Sequence, residues 1–222
     1  MKSFKVHLIR CQITQHSLDG VYEGQLDTGL CEEGIKQLKS MLADGGYPDC
    51  NIVFISPLLR CRQTAELIFP NVEAAAVAEL NECCFGEFEG HTAEELSDNE
   101  SFLAWVRGDK AAVPPKGESG EEFSSRICTA FARIIEAMME SGVAEAAMVL
   151  PGGVIMALMS AFALPELPIH DWLLPAGCGF TVRTDSLLWR SGRKLEMQAE
   201  LPLRQMTLEE ERMGWDWYPE VD

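Results

Sequence analysis

The stretch Lys5-Val-His-Leu-Ile-Arg-Cys-Gln-Ile-Thr14 organises the rest of the chain, because an apolar run ends abruptly in an arginine, a cysteine and a polar loop. An apolar run of this length predicts a β-strand, here over residues 4–10. In open α/β sheets ligands bind outside the carboxyl ends of the strands, and the first strand frequently supplies such a site. We therefore expect a functional site where this strand ends.

The acidic composition of the chain limits its partners. Among 222 residues, 18 Lys and Arg stand against 35 Asp and Glu, which gives a formal charge of −17. This charge opposes non-specific attraction to nucleic acid and to anionic lipid, so we expect no nucleic-acid partner and no membrane. A few arginines in a pocket can still attract a small phosphorylated molecule or an inorganic anion. A protein partner or a second copy of the chain is left open.

Length and cysteine usage indicate the class of protein. The hydrophobic content of 47% and the length predict one domain over residues 1–222. The apolar runs are too short for a transmembrane helix or a signal peptide. The eight cysteines show neither a C-x-x-C pair nor Cys/His metal spacing, so we expect no metal site. A reducing, cytoplasmic compartment fits these cysteines best.

Hydrophobic periodicity predicts alternating strands and helices. The predicted strands cover residues 4–10, 51–56, 74–77, 146–150, 180–184, 187–190 and 196–201. The predicted helices cover residues 31–42, 58–68, 91–96, 99–108, 121–141 and 154–163. Ser56 and Pro57 are expected to start the second helix, and Ser119 with Glu122 has capping-box spacing. Loops are expected over residues 11–27 and 109–120, and an acidic, Trp-containing tail from Glu209.

Six segments follow one another in an order that carries a family resemblance. They are Leu8 to Gln12, Asp27 to Gly34, Ser56 to Ala65, Leu80 to Gly90, Gly117 to Ser119 and Pro151 to Gly153. Together they resemble the histidine phosphatase superfamily, the phosphoglycerate mutase-like fold, over about residues 4–185. In size the chain is similar to the small bacterial phosphatases of the alpha-ribazole phosphatase type. The resemblance implies a three-layer α/β/α sandwich, with residues 186–222 as C-terminal strands and acidic tail.

The positions that the resemblance makes catalytic are changed in this chain. The family has a phosphate-accepting histidine after the first-strand arginine and a second histidine at a later strand end, and these positions are Cys11 and Pro151. Gln12 stands where the family has a glycine, and Ser17 where it has a phosphate-binding asparagine. Proline has no side-chain donor and no backbone N–H. Loss of one oxyanion donor typically costs roughly 10²–10³ in rate.

Other parts of the implied site are retained. The resemblance makes Arg10 and Arg60 phosphate clamps and Glu82 the general acid, while Gly152 in the following turn is a further ligand-binding candidate. We therefore predict a catalytically inactive member of the family, a pseudoenzyme, with a residual phosphate or anion pocket around the two arginines. The resemblance implies no cofactor.

Three alternatives are weighed against this prediction. An active phosphomonoester phosphatase or mutase would use Cys11, because neighbouring arginines and a helix N-terminus favour a thiolate, or would use His16 as a substitute imidazole. In a structural alternative, Arg60 and Glu82 neutralise one another in an empty pocket. The third alternative is the engineered inactivation of an active enzyme. Four positions are altered and several of the replacements are unusual choices for a knockout, which argues against this alternative.

Overall fold

The computed structural model describes residues 2–109 and 112–203. The predicted tail from Glu209 and residues 110–111 of the predicted loop lie outside the described residues. The strands are β1 (Ser3–Arg10), β2 (Val53–Ile55), β3 (Ala75–Ala76), β4 (Glu145–Leu150), β5 (Ala163–Leu164), β6 (Gly179–Asp185) and β7 (Leu195–Leu201). The α-helices are α1 (Gln15–Leu18), α2 (Glu32–Asp44), α3 (Leu59–Ile68), α4 (Glu100–Val106), α5 (Gly120–Ser141), α6 (Gly152–Phe162) and α7 (Ser186–Gly192).

Within the described ranges, the seven strands form one mixed sheet in the order β3-β2-β4-β1-β6-β7-β5. The first strand lies in the middle of this sheet. It pairs parallel with β4 and antiparallel with β6. The strands β2, β3 and β4 also run parallel to one another. The carboxyl ends of β1, β2 and β4 therefore meet at one edge of the sheet.

Both faces of the central strands are buried. Leu8 of β1 and Met148 of β4 belong to an apolar cluster with α5 and α6. The neighbouring residues Ile9 and Val149 point to the other face and pack in a second cluster with α3. Because strand side chains alternate between faces, an apolar run in the central strands supplies two helix-packing surfaces. The predicted α/β sandwich is confirmed.

Most predicted elements are present, but residues 187–190 form a helix and not the predicted strand. The carboxylate oxygen Oδ1 of Asp185 accepts hydrogen bonds from the backbone N–H groups of Leu187 at 2.9 Å and Leu188 at 3.0 Å. This N-cap starts α7 directly after β6. A short apolar run fits either a strand or a helix, and here the preceding aspartate decides between them.

Three further local predictions are wrong. Ser56 does not cap α3, because this helix begins at Leu59 and its N-cap residue is Leu58; the hydroxyl of Ser56 accepts from the N–H of Leu58 at 3.5 Å and donates to Oδ1 of Asn81 at 2.8 Å. Residues 93–98 form turns where a short helical region was expected, and the first loop contains the short helix α1. The predicted capping box of Ser119 and Glu122 is confirmed at the start of α5.

No helix in the described part of the chain combines the length and apolarity that crossing a bilayer requires.

The N-cap of α7 gives a test of this correction. Replacing Asp185 by alanine removes the acceptor for two backbone N–H groups. We expect Asp185→Ala to lower the free energy of unfolding by about 1 kcal/mol, measured by urea denaturation. Asp185→Asn is the matched control, because asparagine caps about as well as aspartate. Equal losses in both variants would contradict a capping role.

Candidate functional site

The ends of β1 and β4 lie side by side. Arg10 is paired with Leu150, and the backbone N–H of Cys11 continues the ladder by donating to the carbonyl of Leu150 at 2.9 Å. Cys11 and Pro151, the next residue of each strand, therefore stand next to one another although they are far apart in sequence. Pro151 is also the N-cap residue of α6, so this helix begins at the same edge of the sheet.

A cavity of about 210 Å³ opens at these strand ends. Its lining consists of Arg10, Cys11, Gln12, Ile13, Ser17, Val21, Tyr22, Glu23, Gly24, Arg60, Glu82, Phe85, Pro151, Gly152 and Ala176. All the site residues predicted from the sequence line this one cavity. His16, the suggested substitute imidazole, is not part of its described lining.

Arg10 is positioned by its contacts with two loops. Its Nη1 group donates to the backbone carbonyl of Leu174. The guanidinium also packs closely on the turn that starts α6: a Cβ atom on Gly152 would lie 2.9 Å from Nε of Arg10. Any larger residue than glycine at this position would push the arginine away. Gly152 therefore contributes space for the guanidinium rather than a functional group.

Arg60 is buried, with 4% of its surface exposed, and it holds the first loop in place. Its Nη2 donates to the carbonyl of Gly24 at 2.7 Å, and its Nη1 donates to that of Leu26 at 2.9 Å. A carboxylate oxygen of Glu23 lies 3.6 Å from Nη1. This guanidinium thus has a structural role in addition to its place in the cavity wall.

Glu82 occupies the N-terminus of α6. One carboxylate oxygen accepts from the backbone N–H of Gly153 at 3.0 Å, and the other accepts from its neighbour Cys83 at 2.9 Å. Burial raises the pKa of Glu82 above its ordinary value, while these two N–H groups and the arginines Arg60 and Arg10 act in the opposite direction. The carboxylate therefore fills the helix terminus at which an external anion would otherwise be stabilised.

Cys11 has an unusual environment for a thiol. A hydrogen bond from the thiol of Cys61 lowers the pKa of Cys11 below its ordinary value, and the charges of Arg60 and Arg10 act in the same direction against the effect of burial. Burial, together with the same hydrogen bond, raises the pKa of Cys61 well above its ordinary value. The hydrogen bond and the arginines thus favour the ionised form of Cys11, while burial favours the neutral thiol of Cys61.

Gln12 and Ser17 are committed to local contacts. The backbone N–H of Gln12 donates to the hydroxyl of Thr64 at 3.0 Å, and its side-chain amide reaches the sulfur of Met41 at 3.9 Å. The glutamine side chain therefore packs towards α2. The hydroxyl of Ser17 accepts from the backbone N–H of Thr14 at 3.3 Å in the capping box of α1.

Sequence patterns did not predict the aromatic wall on one side of the cavity. Tyr22 and Phe85 line the cavity, and their ring centroids lie 5.9 Å apart in an edge-to-face arrangement. Behind them, Phe102 and Trp105 of α4 complete the cluster. Both lining rings come from irregular segments, so periodicity gives no signal for them. Within residues 2–109 and 112–203, no group of three or more His, Cys, Asp or Glu is placed to hold a metal ion.

Comparison with known proteins places these observations in a family. The model of the histidine phosphatase superfamily, branch 1, matches residues 6–184. The adenosylcobalamin/alpha-ribazole phosphatase of Escherichia coli is 32% identical over 136 residues, which are 60% of this chain and 67% of that protein. The corresponding protein of Salmonella typhi is 27% identical over 184 residues, 80% of this chain and 89% of the relative.

Solved structures agree with this result. The alpha-ribazole phosphatase of Shigella flexneri superimposes with a TM-score of 0.75 at 25% identity, covering 88% of this chain and 95% of that chain. A phosphoglycerate mutase of Bacillus anthracis superimposes with a TM-score of 0.72 at 18% identity, covering 89% of this chain and 92% of that chain, a likeness of fold alone.

The two hydrogen bonds that Glu82 accepts give a prediction for stability. Glu82→Ala leaves two partly buried backbone N–H groups without their acceptor. We expect it to lower the free energy of unfolding by about 1 to 2 kcal/mol in urea denaturation. Glu87→Ala, which removes an exposed carboxylate of the same segment, should change it by less than about 0.5 kcal/mol. Similar losses in the two variants would argue against the capping role of Glu82.

Proposed function

The chain belongs to the histidine phosphatase superfamily, and from this membership we propose that it is a catalytically inactive member that binds a small phosphorylated molecule or an inorganic anion. The proposed binding site is the cavity at the ends of β1 and β4. We further propose that residues 1–222 act as one domain in the cytoplasm.

The convergence of two guanidinium groups is the observation that carries this proposal. Arg10 and Arg60 enter the cavity from different elements, one from the end of β1 and one from the first turn of α3. Each guanidinium has five N–H donors in a planar fork that matches a phosphate. The hydrogen bonds in the described part of the chain use one donor of Arg10 and two of Arg60. Donors on both side chains thus remain for an anion.

The absence of phosphoryl transfer is proposed from the groups that stand beside these arginines. The resemblance expects imidazoles at positions 11 and 151, and a thiol and a proline stand there. A histidine phosphoenzyme needs a nucleophile in the right protonation state and donors for the transferring oxygens. Pro151 offers no N–H or side-chain donor. The backbone N–H of Gly153, two residues after Pro151, is already taken by Glu82 at 3.0 Å.

The organic part of the ligand is proposed from the residues of the cavity wall and from the compounds for which the relatives are named. Tyr22 and Phe85 offer aromatic surface next to the arginines. Relatives are named for action on adenosylcobalamin and alpha-ribazole compounds. A phosphate ester whose organic part carries a ring would place the phosphate on the guanidinium groups and the ring on the aromatic wall.

A second candidate function is favoured by the environment of Cys11. Its lowered pKa and the two nearby arginines would support a thiolate that accepts a phosphoryl group. In that case the protein is an active phosphatase or mutase. The proposed pseudoenzyme and this alternative differ in one measurement, which is turnover by the unmodified protein.

Turnover of an aryl phosphate is the first test. We expect 4-nitrophenyl phosphate to be hydrolysed by the unmodified protein no faster than by buffer, because the imidazoles that the resemblance expects at positions 11 and 151 are both replaced. The double variant Cys11→His with Pro151→His restores the imidazoles that the resemblance expects, and we expect it to exceed the unmodified protein in released nitrophenol. Turnover by the unmodified protein that disappears in Cys11→Ala would overturn the pseudoenzyme proposal in favour of the cysteine enzyme.

Stabilisation by inorganic phosphate is the second test. A ligand at ten times its Kd adds about 1.4 kcal/mol to the free energy of unfolding, which raises the Tm of a domain of this size by about 3 to 5 °C. We expect this rise for the unmodified protein, measured by differential scanning fluorimetry and checked by calorimetry. Arg60→Ala should abolish it, because one of the two phosphate contacts is lost.

The neighbouring residue Arg62 supplies the matched control, because it lies exposed on the same helix. Arg62→Ala should keep the full phosphate response. Each variant is compared with its own phosphate-free Tm, since Arg60 also holds the first loop through two carbonyl groups. A phosphate response that is absent from the unmodified protein, or equal in the two variants, would contradict the anion site.

A further inference from the structure

Two cysteines meet at the base of the cavity. Cys11 follows β1 directly, lines the cavity and is 6% exposed. Cys61 lies in the first turn of α3 and is 0% exposed. Both side chains belong to the apolar cluster between the sheet and α3, and Cys61 is the largest cause of the lowered pKa of Cys11. One sulfur of the pair is therefore reachable from the cavity, and the other lies behind it.

The backbone around this pair keeps the two sulfurs together. The N–H of Gln12, next to Cys11, donates to the hydroxyl of Thr64 at 3.0 Å, and that hydroxyl donates to the carbonyl of Arg60 at 2.7 Å. The residue after Cys11 is thus tied to Thr64, which lies one turn of α3 beyond Cys61. A disulfide requires the two sulfurs to approach to about 2.05 Å.

The charges around the pair make the two thiols unequal. Arg60 and Arg10 stabilise negative charge on Cys11, whereas Glu82 opposes it. Burial raises the pKa of Cys61 and so favours its neutral thiol. A cysteine that lines a cavity beside two arginines, with a second buried cysteine in the same cluster, has the arrangement of a redox-sensitive cysteine and its resolving partner.

From this geometry we infer that Cys11 is a site of oxidation by small hydroperoxides and that Cys61 resolves the product into an intramolecular Cys11–Cys61 disulfide. The inference does not depend on phosphate binding. Hydrogen peroxide is small enough for a cavity of about 210 Å³, and its reaction requires a thiolate and a proton for the leaving oxygen, but no phosphate clamp.

The reaction proceeds in two balanced steps. The Cys11 thiolate attacks one oxygen of the peroxide, the O–O bond breaks, and the leaving hydroxide takes a proton to become water, which leaves a sulfenic acid on Cys11. The sulfur of Cys61 then attacks the sulfenic sulfur, the S–O bond breaks, and the Cys61 proton leaves with the hydroxyl group as a second water. Two thiols are oxidised by two electrons, and one peroxide is reduced to two waters.

Peptide mapping of the peroxide-treated full chain tests this inference. We expect a non-reduced digest to contain one cross-linked peptide that joins Cys11 to Cys61, with a mass two hydrogens below the sum of the separate peptides. Thiol titration should fall by two of the eight thiols, and dithiothreitol should restore them. Cys11 still in the thiol form, Cys11 in a stable sulfenic or sulfinic acid, or Cys11 joined to another cysteine would each overturn the inference.

Two variants separate the roles of the cysteines. Cys61→Ser should stop the reaction at the sulfenic acid, so that dimedone labels Cys11 at least ten-fold more than in the unmodified protein. Cys50→Ser is the matched control, because Cys50 is also buried in the same cluster but burial raises its pKa to about 12. It should form the Cys11–Cys61 link like the unmodified protein. Should Cys61→Ser not fold, the cross-linked peptide of the unmodified chain decides the question alone.

Discussion

The parallel pairing of β1 with β4 is the constraint on which the site depends. Parallel neighbours require a long crossover, so residues distant in sequence reach the same sheet edge. The register Arg10 to Leu150, continued by the N–H of Cys11, places Cys11 beside Pro151. The same register sets the start of α6 against the guanidinium of Arg10, where only glycine leaves enough room. The two positions at which the resemblance expects imidazoles therefore belong to one site.

Arg60 and Glu82 have structural roles that do not depend on any ligand. Arg60 satisfies two carbonyls of the first loop, and Glu82 satisfies two backbone N–H groups, one of them at the start of α6. In the simplest structural alternative these two residues neutralise one another directly, yet each has its principal contacts with the backbone. Retention of an arginine or a glutamate at a family position is thus explained by folding alone. Only a measured response to an anion distinguishes a binding site from a preserved framework.

The sequence was sufficient to predict the α/β sandwich and the strand ends that gather the site residues, because buried strands and the capping box of α5 leave strong local patterns. It was insufficient where tertiary contacts compete with local ones. Ser56 has the sequence of a helix cap, but α3 begins at Leu59, and the hydroxyl of Ser56 links Leu58 to Asn81. Gln12 stands where the resemblance expects a glycine, and the sequence does not show that its side-chain amide packs towards Met41. Cys61 gave no signal, since a cysteine in a helix becomes significant only when the fold brings it to Cys11.

The two proposed properties of the cavity draw on the same positive charge. A thiolate on Cys11 and a phosphate in the cavity are both anions that Arg10 and Arg60 would stabilise, so each weakens the other when both are present. Protonation of Cys11 removes this competition, and so does a disulfide, which carries no charge. Oxidation of Cys11 to a disulfide would therefore leave Arg10 and Arg60 free to bind an external anion. Ionisation of the Cys11 thiol would instead weaken the binding of that anion. If both proposals hold, the state of the Cys11 sulfur would be coupled to the binding of an anion through the two arginines that the thiolate and the anion would share.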